Sequence, residues 1–152
     1  MTETQPPVFQ TSNDLESVLE AISGSLPLRK IEEMLDRTDL SADSKSIVLD
    51  VAQFTIVVGD RIITLGRKLV SFAIELAKTI PNTLLGVALA LVITSLIAGI
   101  PIFGSLLAGL LKSILLIFGL TQGVLADMRG GEIGKRIENL VAQFSPMKGL
   151  TQ

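Results

Sequence analysis

The chain has 152 residues, of which 48% are hydrophobic, an ordinary share that fits one domain or a small polar part joined to an apolar one. A formal net charge of −2 gives no electrostatic basis for nucleic-acid binding. Cys, His, Trp and Tyr are all absent, which excludes disulfides, zinc centres built on thiolate or imidazole, and acid–base work by His at neutral pH.

Residues 1–12 read as a flexible arm, because Pro6 and Pro7 rule out an early helix. The arm is acidic and polar, with no cationic stretch leading into an apolar one, so no secretory signal is expected. Ser12 or Asn13 can cap a short helix through about Ser23, with Leu15, Val18, Leu19 and Ile22 on one face. Gly24 and Ser25 end it. A second short helix is predicted from Pro27, in its first turn, to Asp36, with Leu28, Ile31, Met34 and Leu35 as its apolar side. Residues 1–40 thus form an N-terminal arm with two short helices, a candidate docking point for a protein partner.

Ser41, with Asp43 and Ser44, offers the next N-cap. The following segment, 42–80, has no Pro and reads as one long amphipathic helix, so residues 41–80 are expected to act as an oligomerisation unit. Val51, Val58, Leu65 and Phe72 recur every seven residues, and so do Thr55, Ile62, Leu69 and Leu76, which together make a heptad seam. Leu49, Ile56, Ile63 and Val70 widen the apolar face on one side. Ala52, Gly59, Gly66 and Ala73 make a row of small residues on the other, suited to close helix packing within the chain or between copies. Two interior Gly cost ~1 kcal/mol each relative to Ala, so a packing gain should offset them.

Residues 81–128 form an apolar helical hairpin. From Thr79 to Ala126 the only charge is Lys112. Asn82–Gly99 and Ser105–Ala126 give two arms, and Ile100, Pro101, Ile102, Phe103 and Gly104 the tip. At ~1.5 Å per residue the arms are about 27 and 33 Å long, close to a ~30 Å hydrocarbon core. Arg61, Arg67, Lys68 and Lys78 precede the hairpin and Arg129, Lys135 and Arg136 follow it, which predicts a cytoplasmic (inner) membrane with both termini in the cytoplasm. Lys112 is a candidate either for snorkelling to an interface or, with Ser105 and Ser113, for lining a pore. Gly119 and Gly123 form a GxxxG pair, a candidate for helix packing.

After Gly130-Gly131, residues 129–152 hold a last amphipathic helix with Ile133, Ile137, Leu140, Val141 and Phe144 on one face, ended by Pro146 and followed by a loose tail. The carboxylates are scattered or beside Arg and Lys, and no phosphate loop is present. No catalytic site, cofactor or metal is expected, and enzyme activity is not expected.

The sequence therefore predicts an all-α chain. In plan it resembles pore-forming toxin domains of the colicin type and small phage holins, both built around an uncharged helical hairpin; the resemblance rests on hydrophobicity. The leading expectation is a homo-oligomer in a lipid bilayer, assembled by the long helix, whose hairpin forms or gates a permeability path for ions. Two alternatives are a non-conducting scaffold or curvature-shaping hairpin, and a soluble helical assembly that hides the hairpin.

Overall fold

A computed structural model describes residues 8–9, 20, 22, 24–58, 61–80, 84–128 and 130–149. The chain is mostly helical, as the apolar periodicities predict. In chain order the elements are β1 (Val8–Phe9), α1 (Leu28–Asp36), α2 (Ala42–Ala52), β2 (Ile56–Val58), β3 (Arg61–Ile63), α3 (Leu65–Thr79), α4 (Leu85–Gly99), α5 (Ile102–Phe118), α6 (Gln122–Met128) and α7 (Gly131–Gln143). A 3-10 turn, Ser145–Gly149, follows.

Several expectations hold in detail. Pro27 stands at the start of α1, where its missing N–H costs nothing, and its carbonyl accepts from Lys30 and Ile31. Ser41 caps α2, its Oγ accepting from the Ser44 N–H at 3.1 Å. α7 begins at Gly131, whose positive φ of 70° suits glycine, and it buries Ile137 and Leu140. The first predicted helix lies mostly outside the described residues; of it, Glu20 and Ile22 are helical and Ile22 is buried.

The largest correction concerns residues 42–80. They are two helices separated by a β-hairpin, not one continuous helix. Thr55–Val58 and Ile62–Thr64 are β-branched runs that crowd a helix and suit a pleated surface. In the ladder Ile56 faces Ile63, Val57 faces Ile62 and Val58 faces Arg61. Burial alternates with the strand period: Ile56, Val58 and Ile63 are buried, whereas Ile62 is 71% exposed. β1 adds to β2 in parallel, with Val8 opposite Val57 and Phe9 opposite Val58. Those two residues of the predicted flexible arm are thus strand.

Two further corrections concern the second half. The arm expected over Ser105–Ala126 begins at Ile102 and is interrupted at Gly119, which has φ 66° and closes α5. There the Leu120 N–H reaches the Leu115 carbonyl at 2.8 Å and the Gly119 N–H reaches Leu116 at 3.3 Å, the paired bonds of a left-handed helix cap. Of the tail expected to be loose, the part through Gly149 winds the 3-10 turn and buries Met147, and residues 150–152 lie outside the described residues.

One apolar cluster runs through the molecule, and α4 lies at its centre, packed by α3, α5, α6 and α7. Every residue from Gly86 to Ile93 is buried, as is Leu96. α5 packs on α4 and α2 and buries only Phe103, Leu107 and Ile114. The remaining sides of the bundle come from α1 against α2 and α3, and from α7 against α4, with Arg136 donating to Thr79 Oγ1 to tie α7 to the end of α3.

Candidate functional site

The hairpin is asymmetric, and that asymmetry marks its outer arm as the candidate site. A helix apolar on every face needs cover on every face. α4 has it from Gly86 to Ile93; α5 does not. Ser105, Ala108, Gly109, Lys112 and Leu116 are all exposed, and their spacing places them on one face of α5. Leu116 is 73% exposed, with Ile117 beside it.

More apolar surface gathers at the open end of the hairpin. There Gly86 meets the Phe118 ring so closely that a Cβ on Gly86 would lie 2.3 Å from the ring's Cδ1. This contact sets the start of α4 against the end of α5. Leu84, two residues earlier, is 70% exposed, and Val124 and Met128, one turn apart on α6, are exposed as well. These exposed apolar side chains, at both ends of the junction between α5 and α6 and at the start of α4, make this part of the surface the candidate site.

Lys112 is the one charge on the outer face of α5, and among the described residues it has no ion-pair partner. Ser105 shares that face, and its Oγ donates to the Ile102 carbonyl at 3.2 Å, so the hydroxyl satisfies its own helix. Ser113 is half-buried between this face and the core. The structure therefore brings Lys112 and Ser105 together on one surface and leaves Ser113 at its edge.

The small-residue positions divide differently. Ala52, Gly66 and Ala73 are buried inside the chain, and Gly59 lies outside the described residues. A Cβ at Gly66 would fall 1.7 Å from the Val51 carbonyl oxygen, so this glycine serves the contact between α3 and the end of α2. Gly119 and Gly123 do not share a helix: the first caps α5 and the second lies in α6. The predicted tip is tighter than its sequence suggested. Ile102, Phe103 and Gly104 form the first turn of α5, Ile100 and Phe103 are fully buried, and Pro101 is exposed.

The helix lengths bear directly on lipid. α4 has 15 residues and α5 has 17. At ~1.5 Å per residue they reach about 22 and 26 Å, short of a ~30 Å hydrocarbon core. Among the described residues, no helix is long and apolar enough to cross a membrane. Among them, too, no three His, Cys, Asp or Glu side chains gather into a metal set.

Two grooves lie away from the hairpin's outer face. One, about 350 Å³, runs between α4 and α7 and is lined by Ser95, Ala98, Gly99, Ile137, Glu138 and Val141 among others. The second is wider and basic. It lies between α1 and α3, where the sequence sets carboxylates beside Arg and Lys; the missed signal is that Lys30 and Met34 of α1 and Arg37 at its C-cap share a face spacing, as do Lys68, Phe72, Glu75 and Lys78 of α3. No protein-family model, curated protein or solved structure matches the chain.

Proposed function

We propose that this chain is a non-enzymatic membrane-acting protein that keeps one arm of its apolar hairpin sheathed and offers the other to lipid. The observation that supports the reading is the uncovered outer face of α5, continued by Leu84, Val124 and Met128 at the open end of the hairpin. In this reading the face lies in the membrane interface, the α4 arm stays within the bundle, and Lys112 extends its stem along apolar surface with its ammonium among the headgroups. The short arms favour such a one-sided seat, as a scaffold or a wedge in one leaflet, over a pair of spans.

A second reading, a homo-oligomeric permeability path, is favoured by a different feature. Between α5 and α6 stand only Gly119, Leu120 and Thr121, none of them charged. Straightening that junction would join the two helices into a segment from Ile102 to Met128, 27 residues by its numbering, about 40 Å at ~1.5 Å per residue and enough to span. Lys112 would then face a lumen and favour anions.

Flotation with dye-loaded vesicles tests both. Protein that floats with neutral and anionic vesicles without releasing dye supports the seated hairpin. Flotation with leakage that rises steeply with protein density supports the oligomeric path. Protein that stays at the bottom of the gradient with every lipid composition overturns both and leaves a helical assembly whose α5 face meets protein.

A further inference from the structure

We infer that the basic groove between α1 and α3 binds an anionic amphiphile, with a phosphate or carboxylate head among its lysines and an apolar tail in the adjoining cleft. The inference does not rest on the membrane reading, because no residue of α5 or α6 lines the groove.

The groove has a volume of about 640 Å³, within the roughly 300–1,000 Å³ common for small-molecule sites. Its charged lining is one-sided. Lys30 comes from α1 and Arg37 from its C-cap, Lys68 and Lys78 come from α3, and Glu75 is the one carboxylate among the described lining residues. Like charges set across a shared groove repel, and in a chain whose overall charge is −2 this local excess of cations has no compositional origin. Glu33 relieves it weakly. It lies 3.9 Å from Lys30 Nζ and is shared with Arg29, an exposed side chain 3.7 Å away. A bound anion would meet the remaining charge, with charge-assisted hydrogen bonds from Arg37 and the lysines. Ser71 Oγ accepts from the Leu26 N–H at 3.0 Å, which leaves its own proton available for an anion's oxygen.

The rest of the site is apolar. Leu26, Met34, Phe72 and Ile74 line the same groove. Met34, Ile74 and Lys78 also line a second cavity of about 170 Å³, completed by Leu35, Ala77 and Leu85 together with Thr38. The two cavities therefore adjoin at Met34, Ile74 and Lys78, the first basic and the second mostly apolar. A free phosphate would use only the first. A phosphate or carboxylate carrying an alkyl chain would use both, and Lys78, common to the two, stands at the boundary where head and tail meet.

Titration calorimetry on the intact chain tests this, with dodecyl phosphate below its micelle concentration as probe and inorganic phosphate and dodecyltrimethylammonium as comparisons. The expected order is dodecyl phosphate well ahead of both. Lys68→Gln with Lys78→Gln should weaken dodecyl phosphate at least tenfold, with recovery in the Lys68→Arg, Lys78→Arg pair. Ala77→Leu, which fills the apolar cleft, should weaken dodecyl phosphate but not inorganic phosphate. Equal binding of phosphate with and without the chain, binding of the cationic detergent as tight as the anionic one, or indifference to the double Gln variant would each overturn the proposal. Flotation then identifies the source of the head. If the double Gln variant loses binding to phosphatidylglycerol vesicles but not to neutral ones, a membrane headgroup is the occupant. If vesicle binding is unchanged while dodecyl phosphate binding falls, a soluble amphiphile is. Either result keeps the groove, and loss of all vesicle binding in wild type would remove the membrane reading without touching it.

Discussion

Gly66→Ala should destabilise the fold by about 2 kcal/mol, although the same change at an open helical position stabilises. An Ala Cβ at position 66 would lie 1.7 Å from the Val51 carbonyl oxygen, 2.8 Å from its carbon and 3.0 Å from the Phe54 nitrogen. All three are backbone atoms, so no side chain can rotate out of the way. α3 must move off the end of α2, and the Gly66 N–H bond to the Phe54 carbonyl, 2.9 Å long, goes with it. Overpacking of this kind costs ~1–3 kcal/mol, and the lost hydrogen bond about 1 kcal/mol. Against these stands the helix-propensity gain of at most ~1 kcal/mol. For a chain of this size the balance lowers Tm by about 4–8 °C. Gly109→Ala is the control, because nothing lies within 4 Å of a Cβ there and the mid-helix glycine of α5 is open to solvent. It should gain ~1 kcal/mol. Urea and thermal unfolding followed by far-UV circular dichroism, at two protein concentrations tenfold apart, measures both. A neutral or stabilising Gly66→Ala would refute the close approach. A loss that appears only in the concentration-dependent part would instead return Gly66 to a contact between copies.

Phe103→Ala removes the fully buried ring at the start of α5 and should cost ~3–5 kcal/mol in urea unfolding. Gly119→Ala places a side chain at φ 66° and should cost ~1–2 kcal/mol in the folded bundle; if the hairpin conducts, the same change should raise dye leakage, because it favours a continuous helix through the junction. Lys112→Leu should move stability by less than ~0.5 kcal/mol, as expected of an exposed residue without a partner. It should strengthen vesicle flotation in both membrane readings and alter ion selectivity only in the conducting one.

The sequence made the helical class and most helix boundaries legible because capping residues and apolar periods act locally. Ser41, Pro27 and Gly130-Gly131 each set an end by chemistry confined to a few residues. The β-hairpin was missed because its register imitates a heptad. Ile56 and Ile63 are seven apart in sequence and directly opposed in the ladder, so the spacing that reads as a helical row also describes a cross-strand pair. The signal that separates the two was present: a β-branched run on each side of Gly59-Asp60, a pair suited to a two-residue turn. Gly119 was misread for a similar reason. Counted four from Gly123 it makes a packing motif, whereas one residue past a long apolar helix it makes a cap. The basic groove was only half legible: each helix carries its cationic spacing in sequence, but that two helices distant in sequence turn those faces toward each other is set by the fold.

The arms of the hairpin differ in what it costs to free them, and this orders any passage into lipid. Exposing α4 to water would uncover Val87, Leu89, Leu91, Val92, Ile93 and Leu96, all buried. At ~1.5–3 kcal/mol for each large side chain, that is roughly 9–18 kcal/mol, comparable with the ~5–15 kcal/mol that holds a whole domain folded. α4 can therefore leave the bundle only where something equally apolar receives it. α5 has Phe103, Leu107 and Ile114 to lose, roughly half as much by the same measure, and its outer face needs no release at all. A bilayer would thus meet α5 first, and α4 would follow only into hydrocarbon already reached. If the proposed membrane reading holds, binding without leakage and leakage after binding are successive states of one molecule, separated by the cost of unsheathing α4. Mutations that loosen the cover of α4 without altering α5's outer face should shorten the lag between flotation and dye release. If leakage instead began without a preceding bound, non-leaking stage, this ordering would fail.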